Sequence, residues 1–322
     1  MRFAPEAFPR EAFGPWAKVL FQKQSSEVEP LKKWRDFLIS EGRSLKSDIV
    51  YLPIQFFKTS DVYDFSQPAE AVFCSSGTTG SQVSRHFIAS LDWYRQVVLA
   101  GFERVLGPPQ QYAFLFLLPG YLERPHASLV QMARFLHEAS TETHQAFFKR
   151  DFVGLSAQIK NLSKNGKPIL LLGATYALLE WSEKFQGYYP QLTIMETGGM
   201  KRQGKEISKE ELYDRLKKAF PASRILSEYG MTELHSQAYA LSEGLFQCPP
   251  WMRVMVQEAD DPLGPALATG EGRLLITDLA NLHSCAFLAT EDLGRVYEDG
   301  RFKVLGRLAD ADVRGCHLMP LG

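Results

Sequence analysis

The chain has few cysteines and no surplus of either charge, and it lacks any long apolar run. Four cysteines in 322 residues, Cys74, Cys248, Cys285 and Cys316, lie far apart, with no CxxC pair and no Cys/His cluster at metal-ligand spacing. That pattern argues against a disulfide framework or a zinc site and for free thiols in a reducing compartment. Thirty-six Lys and Arg stand against 37 Asp and Glu, a net charge of −1. No global field therefore draws in nucleic acid or an anionic membrane surface. The most apolar stretches, residues 112–118 and 169–179, fall short of the ~20 residues needed to span a bilayer. The opening MRFAPEAFPREAFGPW places acids and prolines where a signal peptide needs an apolar core. A cytoplasmic location is the resulting expectation. Internal repeats, low-complexity tracts and Gly/Ser linkers are also missing.

What is present is a globular composition, 45% apolar and 23% charged, with a mean hydropathy of −0.18. A chain of this size buries roughly 75% of its unfolded surface. The first 45 residues read as a helical segment, with Leu31, Trp34 and Leu38 at helical spacing behind Pro30 and Gly42 closing it. Residues 46–236 read as an α/β core. Apolar runs at 50–57, 71–74, 113–118, 169–172, 192–195 and 224–226 predict strands. Helices are predicted between them at 91–105, 127–139, 152–164, 176–185 and 209–220. The last has a capping box, Ser208 with Glu211, and Pro221 stops it. Such alternation implies a mainly parallel sheet covered on both faces, with ligands beyond the carboxyl ends of its strands. Residues 237–322 read as a β-rich lobe with short strands at 253–257, 272–277, 286–288, 295–297 and 302–305, ending in a hinge-like tail.

The most informative stretch is a buried strand running into Ser75-Ser76-Gly77-Thr78-Thr79-Gly80. Its glycines let backbone approach a ligand, and its hydroxyls and N–H groups all donate to phosphate oxygens. At ordinary usage this hexapeptide arises with a chance of roughly 10⁻⁷ per start position. No Lys-Ser/Thr follows Gly80, so it is not a Walker A loop. The competing reading is a flexible Ser/Gly/Thr turn.

This loop resembles the phosphate loop of the acyl-adenylate-forming superfamily, and further motifs follow in that superfamily's order. They are Thr197-Gly198-Gly199-Met200-Lys201, Tyr229-Gly230-Met231-Thr232-Glu233, Glu291-Asp292-Leu293-Gly294 and Gly306-Arg307. The resemblance implies the large N-terminal-type domain of adenylate-forming enzymes, with ATP and Mg²⁺ as cofactors. It assigns Gly198 and Gly199 to a turn against adenine and Tyr229 to stacking on the base, with Gly230 beside it. Thr232 would bond the α-phosphate and Glu233 would hold Mg²⁺. Asp292 and Arg307 would take the ribose. Related ligases carry a catalytic lysine in a domain beyond the Gly-Arg hinge. Only 15 residues follow Arg307 here, so that domain is expected to be absent: the first half-reaction runs without its lysine, another residue such as Lys201 substitutes, or a partner completes the site. Near the phosphate loop Arg85 is the one cation on offer.

Within the superfamily the chain is similar to the acyl-protein synthetases of bacterial bioluminescence (LuxE-like). The similarity rests on Pro119-Gly-Tyr-Leu-Glu-Arg124, the Gly198-Gly199 turn and the ending Arg314-Gly-Cys316-His-Leu318. It implies activation of a carboxylic, typically fatty, acid to acyl-AMP and transfer to Cys316 as a thioester. The acyl group would then pass to a partner protein such as a reductase subunit. A thiolate is a strong nucleophile toward a mixed anhydride, and the flanking Arg314 and His317 favour the thiolate. Alternatives are transfer to coenzyme A and a non-catalytic nucleotide- or acyl-binding subunit. His126 and His235 are further candidates for an acyl pocket. Cys74, in a predicted buried strand, reads as a core residue.

Overall fold

The computed structural model describes residues 3–41, 49–75, 82–124, 126–198, 207–259, 261 and 263–308. The chain starts with two helices, α1 (Phe13–Glu27) and α2 (Glu29–Ser40). Pro30 sits in the first turn of α2, where its missing N–H costs nothing. The spacing of Leu31 and Leu38 turns both into the core. Residues 50–57, expected as one strand, instead form a two-residue β1 (Leu52–Pro53) and a short helix α3 (Phe56–Thr59). Pro53 is the last paired residue; Ile54 N donates once more to Ala289 O at 2.9 Å, and the chain then turns into α3.

A hairpin follows, β2 (Ala71–Cys74) and β3 (Arg85–Ile88), pairing antiparallel from Ala71↔Ile88 to Cys74↔Arg85. The α/β alternation then runs α4 (Leu91–Leu106), β4 (Ala113–Leu117), α5 (Ser128–Ser140), β5 (Phe147–Phe148), α6 (Phe152–Leu162), β6 (Ile169–Ala174), α7 (Thr175–Lys184), β7 (Leu192–Thr197), α8 (Lys209–Ala219) and β8 (Arg224–Tyr229). Helix ends are set locally: Ser90, Asp151 and Ser208 accept hydrogen bonds from Trp93 N, Gly154 N and Glu211 N. Every residue of β4, β6 and β7 is buried, as expected of parallel strands covered on both faces. Helices α6, α7 and α8 cover one face and α4 and α5 the other.

Six strands complete the chain: β9 (Ala238–Ala240), β10 (Phe246–Gln247), β11 (Met252–Gln257), β12 (Gly270–Asp278), β13 (Phe287–Val296) and β14 (Phe302–Arg307). They do not form a separate sheet. Strand β8 pairs antiparallel with β9 through Ser227↔Ala240 and Tyr229↔Ala238. The result is a 12-stranded mixed sheet in the order β11-β12-β13-β14-β10-β9-β8-β7-β6-β4-β5, with β1 added parallel to β13. Helices α1 and α2 pack on its antiparallel half.

The runs 286–288 and 295–297, expected as two short strands, belong to the single ten-residue β13. Asp292 therefore sits mid-strand, beside a register shift at Leu293/Gly294. Glycine is required there, since a Cβ at Gly294 would lie 2.4 Å from Lys303 O. Among the described residues no helix is long and apolar enough to cross a membrane.

Candidate active site

Four segments carrying the expected residues end on the same side of the sheet. The first is the β2–β3 hairpin. Ser75 N donates to Ser84 O at 3.0 Å, and Ser84 N donates to Ser75 Oγ at 2.9 Å. These two bonds close the mouth of the loop. Ser76, Gly77, Thr78, Thr79 and Gly80 lie outside the described residues, as do Gly199, Lys201 and Cys316. Arg85 pairs with Asp61 at 2.6 Å, so it is already engaged.

The second segment is the carboxyl end of β7. Gly198 adopts φ +76°, a conformation that favours glycine, and a Cβ there would stand 3.5 Å from Tyr121 Oη. The Thr175 hydroxyl lies 2.9 Å from Gly198 O and 2.7 Å from Glu196 Oε2.

At the carboxyl end of β8, Tyr229, Asp292 and Arg307 meet. Tyr229 Oη donates to Asp292 Oδ2 at 2.8 Å, and Arg307 Nε donates to Asp292 Oδ1 at 3.0 Å. Asp292 is only 7% exposed. Neighbouring Glu291 accepts from Gln55 at 3.0 Å and pairs loosely with Lys58 and Arg307. The Tyr229 ring is half-buried against Phe302 and Phe246, with centroids 5.4 and 5.7 Å away. Burial, then the Asp292 carboxylate, push its phenol pKa well above the usual value. Each Asp292 oxygen keeps a lone pair for a further donor.

The fourth segment is the turn after β8. Gly230 is exposed and Thr232 half-buried, while Glu233 is 5% exposed. His86 Nδ1 is 2.7 Å from Thr232 O, and Asn281 Nδ2 donates to Glu233 O at 3.2 Å. Among the described residues no three His, Cys, Asp or Glu side chains group to hold a metal. Glu233 contributes one carboxylate to this turn. That suits Mg²⁺, which commonly takes one or two carboxylates together with phosphate oxygens and water.

The hydrophobic pattern gave no sign of a buried polar network under this rim. Glu196, fully buried, accepts from Thr175 and is bonded by Lys209 and Ser227. Ser227 in turn meets Tyr213 Oη at 2.6 Å. Glu228 accepts from the Thr197 hydroxyl. Burial first, and then the nearby Glu196, push the Glu228 carboxyl up to about 7. The detectable signal was the acidic residue next to each motif, Glu196 before Thr197 and Glu228 before Tyr229. Acids are rarely buried without partners.

Of the two histidines expected near a pocket, His126 is exposed and only its carbonyl is used, by Cys74 N at 2.9 Å. His235 lines a small cavity of about 60 Å³, with Phe87, Ser90, Trp93 and His283. Burial raises the thiol pKa at Cys74 and Cys248, and that of Cys285 to about 12.

No family model matches the chain, and no curated protein matches it in sequence. Solved structures do match in shape. The luciferase-like enzyme from the nonluminescent mealworm Zophobas morio is 16% identical, covering 78% of this chain and 59% of that one, with a TM-score of 0.51. The O-succinylbenzoate coenzyme A synthetase from Bacillus subtilis, in complex with AMP, is 15% identical, covering 75% and 50%, with a TM-score of 0.54. A long-chain-fatty-acid-CoA ligase from Archaeoglobus fulgidus is 13% identical, covering 76% and 52%, at 0.52. The chain has the fold of the N-terminal domain of adenylate-forming enzymes. It spans between 50% and 59% of the length of these three structures.

Proposed function

We propose that the chain activates a carboxylic acid with ATP and hands the acyl group to a thiol. The observation that carries this reading is the meeting of Tyr229, Asp292 and Arg307 at the end of β8, on the rim that also bears Gly198, Thr232, Glu233 and the mouth of the Ser75–Gly80 loop. These residue types suit the parts of a nucleotide. Tyr229 offers a half-buried ring for a base, and Asp292, oriented by Arg307, offers acceptor lone pairs for a ribose diol. Loop N–H and hydroxyl groups with Thr232 donate to phosphate oxygens. Glu233 would hold Mg²⁺, which when bound neutralises phosphate charge.

In the first step a carboxylate oxygen attacks the α-phosphorus, the bond to the β-phosphate oxygen breaks, and pyrophosphate leaves. The protein's work there is positioning and charge neutralisation. In the second step a thiolate attacks the acyl carbonyl and AMP leaves, its displaced C–O electron pair going to phosphate. The LuxE-like reading assigns that thiol to Cys316 and the onward acceptor to a partner protein such as a reductase subunit, in the cytoplasm. Burial of Cys74, Cys248 and Cys285 as thiols supports looking beyond them.

Carboxylate-dependent ATP–pyrophosphate exchange over a panel of aliphatic and aryl acids tests the first step. No exchange with any acid refutes it. Hydroxylamine-sensitive acyl labelling tests the second, with loss expected in Cys316→Ser and retention removing Cys316 from the mechanism. A coenzyme A acceptor is the second reading, favoured by the structural likeness to a coenzyme A synthetase and a CoA ligase. Coenzyme A-dependent AMP release surviving Cys316→Ala would establish it.

A further inference from the structure

The turn at 232–236 has a local bond, Leu234 N donating to Met231 O at 3.2 Å, but it is held mainly by groups from elsewhere in the chain. Thr232 O receives His86 Nδ1 at 2.7 Å, and Glu233 O receives Asn281 Nδ2 at 3.2 Å. His235 N and Ser236 N both donate to Asp278 Oδ2 at 2.9 Å, and Ser236 Oγ donates to Asp278 Oδ1 at 2.7 Å. Trp251 Nε1 also donates to Ser236 Oγ at 2.8 Å, and the other three side chains that hold the turn likewise come from distant elements. His86 is on β3, Asp278 ends β12, and Asn281 follows three residues later. All three are fully buried.

His86 has a particular place among them. It lies in the hairpin whose two strands flank the Ser75–Gly80 loop, opposite Phe73. Its single bond to Thr232 O therefore joins two segments that are far apart in sequence and meet on the same rim. The loop side is braced by the Ser75–Ser84 bonds, and the turn side by Asn281 and Asp278.

We propose that His86 is a positioning residue that locks the Thr232–Glu233 turn to the hairpin carrying the loop, with Asn281 and Asp278 completing the lock. This rests on the acid-activating reading for its catalytic consequence, but not for its structural content. A carbonyl oxygen only accepts, so Nδ1 carries the ring proton. Burial holds the imidazole neutral, with a pKa of about 4. The ring therefore keeps one tautomer over the working pH range, and Nε2 is left facing Asn281 Oδ1 at 3.4 Å. Asn281 cannot flip to relieve that contact, because its Nδ2 also donates to Cys285 O at 3.1 Å.

His86→Asn keeps an N–H donor near the place of Nδ1, while His86→Leu keeps bulk and loses it. Asn281→Asp removes the donor to Glu233 O without changing shape, and it serves if His86→Leu does not fold. Two readouts are needed. Amide hydrogen exchange over residues 229–237 should rise at least tenfold in His86→Leu and Asn281→Asp and stay within about threefold of the parent in His86→Asn. In the ATP–pyrophosphate exchange assay, the first two should lose at least tenfold in kcat with KM for the acid little changed, and His86→Asn should largely restore it. Equal behaviour of His86→Leu and His86→Asn, or unchanged protection of the turn in His86→Leu and Asn281→Asp, overturns the proposal. If the parent protein catalyses no exchange, the enzyme reading falls, and the hydrogen-exchange arm alone still decides for or against the lock.

Discussion

Glu228 provides a test in which two opposing ionisations can be separated. Its carboxyl is buried, with a pKa of about 7 when folded against 4.5 for the ordinary group. Between pH 4.5 and 7 the folded chain holds a proton that the unfolded chain has lost, so stability falls as pH rises through that window. Above pH 7 the buried charge costs about 3 kcal/mol, from a difference of about 2.5 in pKa at 1.36 kcal/mol each. His86 acts in the opposite sense. Its folded pKa of about 4 lies below the ordinary 6.5. The stability it contributes is present above pH 6.5 and is lost as pH falls toward 4, again about 3 kcal/mol. The two contributions nearly cancel between pH 4.5 and 6.5. Glu228→Gln keeps an acceptor for the Thr197 hydroxyl and removes the charge. The variant should exceed the parent by about 3 kcal/mol at pH 8, the gap closing toward pH 4.5. With an unfolding entropy of about 2.1 cal/mol/K per residue, that gap is about 4–5 °C in Tm. Calorimetric or circular-dichroism melts at pH 4.5, 6 and 8 measure it. A variant that is no more stable than the parent at pH 8, or equally stabilised at all three pH values, refutes the assignment of a buried carboxylate charge to Glu228.

Tyr229→Phe removes the donor to Asp292 Oδ2 but keeps the ring. It should raise KM for ATP several-fold in the exchange assay, with a loss of about 1 kcal/mol in stability; an unchanged KM would separate this hydroxyl from nucleotide binding. Gly294→Ala places a Cβ 2.4 Å from Lys303 O and 2.6 Å from Leu274 Cδ2. Urea unfolding should show a loss of at least about 2 kcal/mol, and a neutral result would mean that the β13–β14 register gives way easily.

Much of the fold could be read from apolar spacing because the decisive residues signal locally. The strand at 71–74 and the helix behind Ser208 were predicted with the bounds or cap observed, since an apolar run before a turn-rich stretch and a capping box both signal locally. Legibility failed where a tertiary neighbour decides. Leu293-Gly294 looks like a turn in the one-dimensional pattern, yet β12 and β14 on either side carry the strand straight through it. Residues 50–57 are apolar enough for a strand, but β1 is two residues long and the chain then turns into α3. Buried acids are the hardest case. Glu196 and Glu228 look like solvated residues until Thr175, Lys209, Ser227 and Thr197 are placed around them.

The same contrast explains how the rim is built. Ser75, Gly198 and the 230–233 turn follow strand ends, so their chain positions were visible as breaks after apolar runs, whereas Asp292 sits mid-strand. The groups that fix their orientation were not, because His86, Asp278 and Asn281 lie 146, 42 and 48 residues away from the positions they bind. Each is a buried polar group whose hydrogen bonds offset its desolvation only when the whole sheet is assembled. The turn at 232–236 therefore takes its shape from β3, in the separate hairpin, and from the end of β12 and the residues after it. A rim made this way is preorganised by the fold before any ligand arrives, which is the condition under which donors aimed at developing charge act without reorganisation cost.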